Sequence, residues 1–194
     1  MLLSLFYFSL VWLAAIYLFN CALVRKFKVI HIETALLYIS SVMLLGVFGE
    51  VLIDSLYKAV FKIPLWEYHL LPIHNAFTSY YSLFIWGMYG FHLYLLHHSL
   101  NGRIRTGWGL AAIVTAEAIV LEVLFNLTSL AVFHQYIFYY LPNDLWHITS
   151  VQVMPVYFLA GFLVVRLTRS AKVDPWFFTL TNAVLVFVLV FLTS

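Results

Sequence analysis

Charged residues are scarce in this sequence, and their scarcity excludes most classes of soluble protein. Only 9% of the 194 residues are Asp, Glu, Lys or Arg, 64% are hydrophobic, and the mean hydropathy is +0.99. Ordinary soluble domains have about 25% charged and roughly 45–50% apolar residues. The net charge of +2 is also too small to attract nucleic acid. We therefore expect membrane lipids, and no nucleic acid, as partners of this chain.

Cysteine is nearly absent as well. The single Cys21 excludes an internal disulfide, a Cys-x-x-Cys motif and a zinc site made of thiolates. The sequence also has no Walker, Gly-x-Ser-x-Gly, His-Glu-x-x-His or dinucleotide-binding motif. Nothing in the sequence therefore points to nucleotide-dependent or serine-hydrolase chemistry.

Apolar runs of membrane-spanning length occur along the whole sequence. Runs of about 20 apolar residues can cross a bilayer as helices. They predict an all-α, polytopic integral membrane protein with six transmembrane helices, at residues 2–24, 32–54, 74–97, 107–130, 149–167 and 175–193. Residues 1–194 then form a single transmembrane helical domain.

Basic residues predict how the helices are oriented. They concentrate in the first, third and fifth connections: Arg25, Lys26, Lys28, Arg103, Arg105, Arg166, Arg169 and Lys172. Because cytoplasmic loops carry an excess of Lys and Arg, we expect both termini outside, in the plasma or inner membrane of the cell. The two outer connections, 55–73 and 131–147, are rich in aromatic residues and should lie flat over the bundle.

Helices two and three resemble helices four and five in sequence. The matching polar residues are Glu50 and Glu122, Asp54 and Asn126, His74 and His147, and Thr78-Ser79 and Thr149-Ser150. Polar residues are rare here, so these matches are more informative than shared apolar residues. They predict an internal repeat of two helical hairpins, about 32–100 and 107–170. Both hairpins cross the membrane in the same direction, so a symmetry axis would lie along the membrane normal.

The polar residues of this repeat should meet in the outer half of the bilayer. With a rise of ~1.5 Å per residue, Glu50 lies about 25 Å from Glu33 along helix two. Glu122 reaches a comparable depth, about 22 Å from Gly107 along helix four. Ionisable side chains in a bilayer are costly and usually functional. The predicted site contains Glu50, Asp54, His74, Glu122, Asn126 and His147.

Two kinds of chemistry fit this set of residues. Glu and His are suitable ligands for Zn, Fe or Mn, and the candidate metal ligands are Glu50, His74, Glu122 and His147. Without a metal, buried carboxyl groups beside His can hold a proton and release it to a substrate. The third interpretation is a structural hydrogen-bond network that holds the helices together.

Glu117 is predicted near the bilayer midplane, on a different face of helix four from Glu122. We include it in the catalytic set as a second acid or a proton relay, the alternative being a contact with another helix. His92, His97 and His98 resemble one histidine box of a desaturase, but no other box is present. His74 and His92 could instead each ligate a haem, which would leave the intramembrane acids without a role.

These observations favour a membrane enzyme that acts on a lipid, isoprenoid or other hydrophobic molecule. Catalysis would be by acid–base or metal-assisted chemistry in the outer half of the bilayer. One alternative is a proton- or cation-coupled transporter that uses the same acids. Another is an accessory subunit of a larger membrane complex, and a homo-oligomer remains open.

Overall fold

The computed structural model describes residues 2–100, 107–170 and 174–192, and it is mostly helical. The α-helices are α1 Leu2–Val24, α2 Ile32–Phe61, α3 Ser82–Leu100, α4 Gly107–Phe133, α5 Met154–Ser170 and α6 Pro175–Phe187. A 3-10 turn, Val151–Val153, precedes α5, and a π-helical turn, Val188–Leu192, continues α6. The short strands are β1 Trp66–Tyr68, β2 Pro72–Ile73, β3 Thr78–Ser79 and β4 Phe138–Tyr140.

Four helical segments are long and apolar enough to cross a membrane: Leu3–Val24, Ile32–Phe61, Gly107–Phe133 and Pro175–Leu192. The apolar helix Val151–Leu167 is shorter. Large apolar side chains such as Val11, Val60 and Leu180 are exposed on these helices, which is typical of surfaces that face lipid. The predicted helical bundle is confirmed to this extent. Arg103, Arg105 and Lys172, which contribute to the predicted orientation, lie outside the described residues.

Several predicted helix boundaries are wrong. The third helix begins at Ser82 and not at residue 74, and the fifth α-helix begins at Met154 and not at 149. The backbone explains the first difference, because His74, Asn75 and Ala76 all have positive φ and form a turn that no helix can include. The second and fourth helices are longer than predicted and continue to Phe61 and Phe133.

Helices α2 and α4 end in the same way. Lys62 and His134 follow their last residues and both adopt left-handed backbone conformations. The N–H of Lys62 donates to the carbonyl of Lys58 at 2.9 Å, and the N–H of His134 donates to that of Leu130 at 3.0 Å. Such a left-handed residue usually ends a helix and turns the chain away from its axis. After each of these two helices the chain therefore turns back over the bundle.

The two aromatic-rich connections, after α2 and after α4, pair with each other over the bundle. Strands β1 and β4 are antiparallel, with Trp66 opposite Tyr140 and Tyr68 opposite Phe138. The side chains of all four residues are buried. The bounds of the paired segments were not predicted, because a strand of three residues shows no periodic pattern. We call this buried layer, β1 with β4, the roof.

Glycine allows two helix pairs to approach closely. A Cβ atom added at Gly90 of α3 would lie 2.7 Å from the Cα of Ile39 in α2. A Cβ atom added at Gly161 of α5 would lie 2.9 Å from Cγ1 of Val114 in α4. Helices α2 and α3 are thus packed almost backbone to backbone, and α4 and α5 approach closely through the side chain of Val114. They enclose the space under the roof.

Candidate functional site

Glu50 lies in the second half of α2 and is buried, with 6% of its surface exposed. Its Oε1 accepts hydrogen bonds from the hydroxyl of Tyr68 in the roof and from Nε1 of Trp86 in α3, the latter at 2.9 Å. Its Oε2 accepts a hydrogen bond from the hydroxyl of Thr78 in β3. Both carboxyl oxygens are therefore held by neutral donors from three different elements.

Glu122 in α4 has an equivalent environment, and 7% of its surface is exposed. Its Oε1 accepts from the hydroxyls of Tyr140 at 2.5 Å and Tyr157 at 2.9 Å. Its Oε2 accepts from the hydroxyl of Thr149 at 2.5 Å. The two carboxyl groups thus have donors of the same kinds, except that Tyr157 stands where Glu50 has an indole.

The spacing of these donors along the chain is almost the same in both halves. The roof tyrosine follows its glutamate by 18 residues in each case. The threonine follows by 28 residues after Glu50 and by 27 after Glu122. The indole and phenol donors of α3 and α5 follow by 36 and 35 residues.

Hydrogen bonds at both ends of the roof join the connection after α2 to the connection after α4. The N–H of His69 donates to the carbonyl of Ile137 at 2.9 Å, and the N–H of Leu141 donates to that of Leu65 at 3.0 Å. Each roof tyrosine therefore bonds to the glutamate of its own half while its strand pairs with the other half. This pairing couples the position of one carboxyl group to that of the other.

Asp54 and Asn126 bond to the connecting segments and do not line the space beneath the roof. Oδ1 of Asp54 accepts a hydrogen bond from the N–H of Leu65 at 2.5 Å. Nδ2 of Asn126 donates to the carbonyl of Ile148 at 2.7 Å. Both residues were predicted to belong to the site, and the structure places them one helical turn above the glutamates, where they fix the connecting segments.

A cavity of about 140 Å³ lies below the roof, and both Glu50 and Glu122 line it. Its walls come from helices α1 to α5, the roof and Val153 of the 3-10 turn, and they are almost entirely aliphatic or aromatic. Besides the two glutamates, the lining residues with polar side-chain groups are tyrosines and tryptophans, and each of these groups already donates a hydrogen bond. Tyr68, Tyr89, Tyr140 and Tyr157 supply the hydroxyls.

Gly46 makes room for the indole that binds Glu50. A Cβ atom at this position would lie 2.2 Å from Cδ2 of Trp86. One turn further along α2, a Cβ atom at Gly49 would meet nothing within 4 Å. The position of Trp86, and with it one donor to Glu50, depends on the missing side chain at residue 46.

The roof tyrosines are permanent donors. Burial raises the pKa of Tyr68 well above its ordinary value, and the nearby Glu50 raises it further. Burial and the nearby Glu122 raise the pKa of Tyr140 in the same direction. Both phenols therefore keep their protons over the physiological range. Among the residues that the structure describes, no cationic side chain lies within ion-pair distance of Glu50 or Glu122.

The structure does not bring His74 and His147 to the two carboxyl groups. Nε2 of His74 donates to the carbonyl of Leu189 at 2.7 Å. Nδ1 of His147 donates to the carbonyl of Tyr140 at 2.6 Å, and its ring stacks on Tyr139. Within the described ranges, no three His, Cys, Asp or Glu side chains converge as metal ligands. The predicted set of four metal ligands is therefore not assembled.

Glu117 lies outside the cavity lining, in a second buried network. Its Oε1 is 2.7 Å from Nε2 of His92 in α3. Nδ1 of His92 lies 2.8 Å from Nδ2 of Asn20 in α1. Glu117 thus contacts another helix, which was the alternative to a catalytic role. Its partner is His92.

Most of the donors to the glutamates could not be predicted from the sequence. Trp86 and Tyr157 are different residue types, so a comparison of the two halves by identity could not pair them. Tyr68 and Tyr140 lie in aromatic-rich connections, where any of several tyrosines could have been the donor. Thr78 and Thr149 match in the two segments of the sequence, but this match does not indicate a bond to a carboxyl group.

Comparisons with known proteins give no relative for this chain. No family model, no curated protein and no solved structure matches it.

Proposed function

We propose that this protein is an integral membrane enzyme that transfers protons to and from a carbon-rich hydrophobic substrate, such as an isoprenoid or other unsaturated lipid. The observation that supports this proposal is the pair of buried carboxyl groups, Glu50 and Glu122, on one apolar cavity. A cavity with so few polar atoms suits a substrate with few polar groups.

The two carboxyl groups are suited to act as an acid and a base. One gives its proton to a substrate carbon, and the other takes a proton from a second carbon, so the substrate is isomerised or cyclised without net gain or loss of protons. The donors around each carboxyl group stabilise the negative charge that appears when it loses its proton. This role belongs to all six donors: Tyr68, Thr78 and Trp86 at Glu50, and Tyr140, Thr149 and Tyr157 at Glu122.

The cavity lining favours proton transfer over covalent catalysis. Among the described lining residues there is no Ser, Thr, Cys, Lys or His. Hydrolysis through a covalent intermediate needs one of these nucleophiles or a carboxylate free to attack. Here every carboxyl oxygen already accepts at least one hydrogen bond.

We further propose that the two hairpins, about 32–100 and 107–170, are copies of one duplicated unit. Equivalent donors at nearly equal spacing, the reciprocal roof and the matching close contacts of Gly90 and Gly161 support this proposal. The cavity would then lie on the axis that relates the copies. In the cell membrane, the basic connection of Arg25, Lys26 and Lys28 would face the cytoplasm, with both termini outside and the roof on the outer side.

Deuterium incorporation tests the proposed chemistry. The purified protein in lipid nanodiscs is incubated in heavy water with a total lipid extract, and the products are analysed by mass spectrometry. A carboxyl group that has exchanged its proton will place deuterium on a product carbon. We expect labelled product from the unchanged protein and roughly a hundredfold less from Glu50→Gln or Glu122→Gln, the usual loss for a general acid or base.

Glu33→Gln is the matched control. Glu33 is an exposed glutamate at the start of α2, where it accepts a hydrogen bond from Trp176 at 3.2 Å, far from the cavity. This variant should form as much labelled product as the unchanged protein. Equal labelling by the doubly substituted Glu50→Gln, Glu122→Gln protein would refute the proposed roles.

A proton-coupled carrier is the second candidate, and the Glu117 and His92 pair favours it. This pair provides an ionisable group outside the cavity lining, as a pathway across the membrane would need. A carrier would change the internal pH of proteoliposomes when substrate is added and would leave no deuterium on carbon. The same lipid extract, added to vesicles that contain a pH-sensitive dye, separates the two functions.

A further inference from the structure

A pocket lined by basic side chains lies at the end of the bundle opposite the roof. It has a volume of about 680 Å³ and is formed by the end of α1, the connection of residues 25–31 and the last turns of α3. Helix α2 has 30 residues, and at a rise of ~1.5 Å per residue it spans about 45 Å between this pocket and the roof. The pocket is therefore separate from the cavity of Glu50 and Glu122 and belongs to the other membrane surface.

Three cationic side chains of the connection line this pocket: Arg25, Lys26 and Lys28. The ammonium group of Lys28 donates to the carbonyl of Leu95 and to the hydroxyl of Ser99 in α3, which leaves one of its three hydrogens for another acceptor. Among the described residues, no carboxylate lies within ion-pair distance of the three cations, and no Asp or Glu lines the pocket. The described part of the chain thus leaves the positive charge of the pocket unbalanced.

Two tyrosine hydroxyls hold the connection in place. The hydroxyl of Tyr17 in α1 donates to the carbonyl of Lys28 at 3.0 Å. The N–H of His31 donates to the hydroxyl of Tyr94 in α3 at 2.8 Å. The connection is therefore tied to both helices, and little of its freedom remains to be lost when a ligand binds in the pocket.

Apolar side chains alternate with the cationic ones along this connection. Phe27 and Val29, which also line the pocket, are 79% and 76% exposed, and Ile30 is exposed as well. Exposed apolar groups are unfavourable in water, whereas at a membrane surface they insert among the acyl chains next to the head groups. The connection therefore presents cations to a head group and apolar side chains to the acyl chains of the same molecule.

We propose that this pocket binds the phosphate head group of an anionic phospholipid. Arg25, Lys26 and the third ammonium hydrogen of Lys28 donate charge-assisted hydrogen bonds to the phosphate oxygens, and Phe27 packs against the acyl chains. A zwitterionic head group fits less well, because its ammonium group would meet cations and no carboxylate among the described lining residues.

The proposed orientation agrees with this ligand. It places the pocket in the cytoplasmic leaflet, whose anionic lipids attract basic segments at the membrane surface. The inference goes beyond the proposed function and does not depend on the chemistry in the cavity.

Microscale thermophoresis of the protein in a neutral detergent tests this site. The probes are dioctanoyl phosphatidylglycerol, which is anionic, and dioctanoyl phosphatidylcholine, which is zwitterionic. We expect phosphatidylglycerol to bind roughly tenfold more tightly or better. The double variant Arg25→Gln, Lys26→Gln should weaken its binding roughly thirtyfold, about fivefold for each charge removed. Both side chains are exposed, so the variant should fold, and thermal unfolding checks this.

The double variant Lys58→Gln, Lys62→Gln is the matched control, because it removes the same charge at the opposite end of α2. Both side chains are exposed there, and Nζ of Lys62 donates to the carbonyl of Ala59 at 3.0 Å. This variant should bind phosphatidylglycerol as tightly as the unchanged protein. Equal weakening by the two double variants would overturn the site, because binding would then follow the net charge alone.

Phe27→Ala and inorganic phosphate distinguish a lipid site from a site for free phosphate. Phe27→Ala should weaken phosphatidylglycerol binding roughly tenfold, whereas Phe61→Ala, which removes a comparably exposed ring at the other end of α2, should not. Millimolar inorganic phosphate should not displace the lipid. Displacement by phosphate, or equal affinity for the two lipids, would overturn the proposal. Neither result involves Glu50 or Glu122, so the lipid site and the enzyme fail separately.

Discussion

The hairpin with Glu50, residues 32–100, and the hairpin with Glu122, residues 107–170, each supply hydrogen-bond donors to a buried carboxyl group. The residues that supply them differ in part. Each buries a carboxyl group below the roof and satisfies it with a roof tyrosine and a threonine. The last donor is the indole of Trp86 in one half and the phenol of Tyr157 in the other. Both donors lie 2.9 Å from Oε1 of their glutamate although the residue types differ, because an indole N–H and a phenol O–H can each donate a hydrogen bond.

The surroundings of the two glutamates differ beyond their donors. Tyr89, which lines the cavity, stacks on His92, and Nε2 of His92 lies 2.7 Å from Glu117. Tyr89 and His92 belong to the first hairpin and Glu117 to the second, so this contact joins the two hairpins. In the proposed duplication, the corresponding residues Ala160, Leu163 and Leu45 are aliphatic and provide no equivalent polar contact.

The largest effect should come from the close contact of α2 with α3. In Gly90→Ala the new methyl group would meet the backbone of Ile39 at 2.7 Å and the carbonyl of Tyr38 at 2.9 Å. Backbone atoms cannot move aside without separating the helices, so we expect a loss of about 3 kcal/mol or more in stability. Thermal unfolding in detergent measures it.

Gly87→Ala on the same helix is its control. There the nearest atom would be Sδ of Met43 at 3.6 Å, an ordinary contact. This variant should be neutral or up to about 1 kcal/mol more stable, because alanine favours a helix over glycine. Equal destabilisation by the two substitutions would show that the close approach does not hold this half together.

The second effect concerns the indole of the Glu50 half. In Gly46→Ala the methyl group would overlap Trp86, a side chain that can rotate away. We expect a loss of about 1–3 kcal/mol and release of the indole from Glu50, seen as a shift in its fluorescence. Gly49→Ala, which meets nothing, should show neither change. A Gly46→Ala protein with the original fluorescence would contradict the role of residue 46.

The smallest effect should come from removing the Tyr157 hydroxyl, the donor whose counterpart at Glu50 is an indole. Tyr157→Phe removes one hydroxyl from Glu122 and leaves Tyr140 and Thr149 in place. We expect a loss of about 1 kcal/mol in stability and slower formation of labelled product. Tyr57→Phe, which removes a hydroxyl bonded to Gln152 outside the cavity, should not slow the reaction. Equal rates in both variants would show that this donor does not assist Glu122.

The sequence predicted the helical bundle and the two glutamates for a clear physical reason. Long apolar runs identify helices by composition alone, and an acid within such a run must point inward. It did not predict the start of α3, because the turn at His74 depends on three consecutive left-handed residues that no composition signals. The contacts of His147 likewise depend on a turn that composition does not signal, formed by left-handed Trp146 and His147.

By itself, the sequence of this protein determined a mostly helical, apolar chain with Glu50 and Glu122 at similar positions in two similar segments. Only the tertiary structure decided that both carboxyl groups line one cavity, that Asp54 and Asn126 bond to the connecting segments, and that Glu117 contacts His92. The reason is that hydrophobicity acts on every residue independently of its partners, whereas a hydrogen bond depends on which atoms the fold brings within reach.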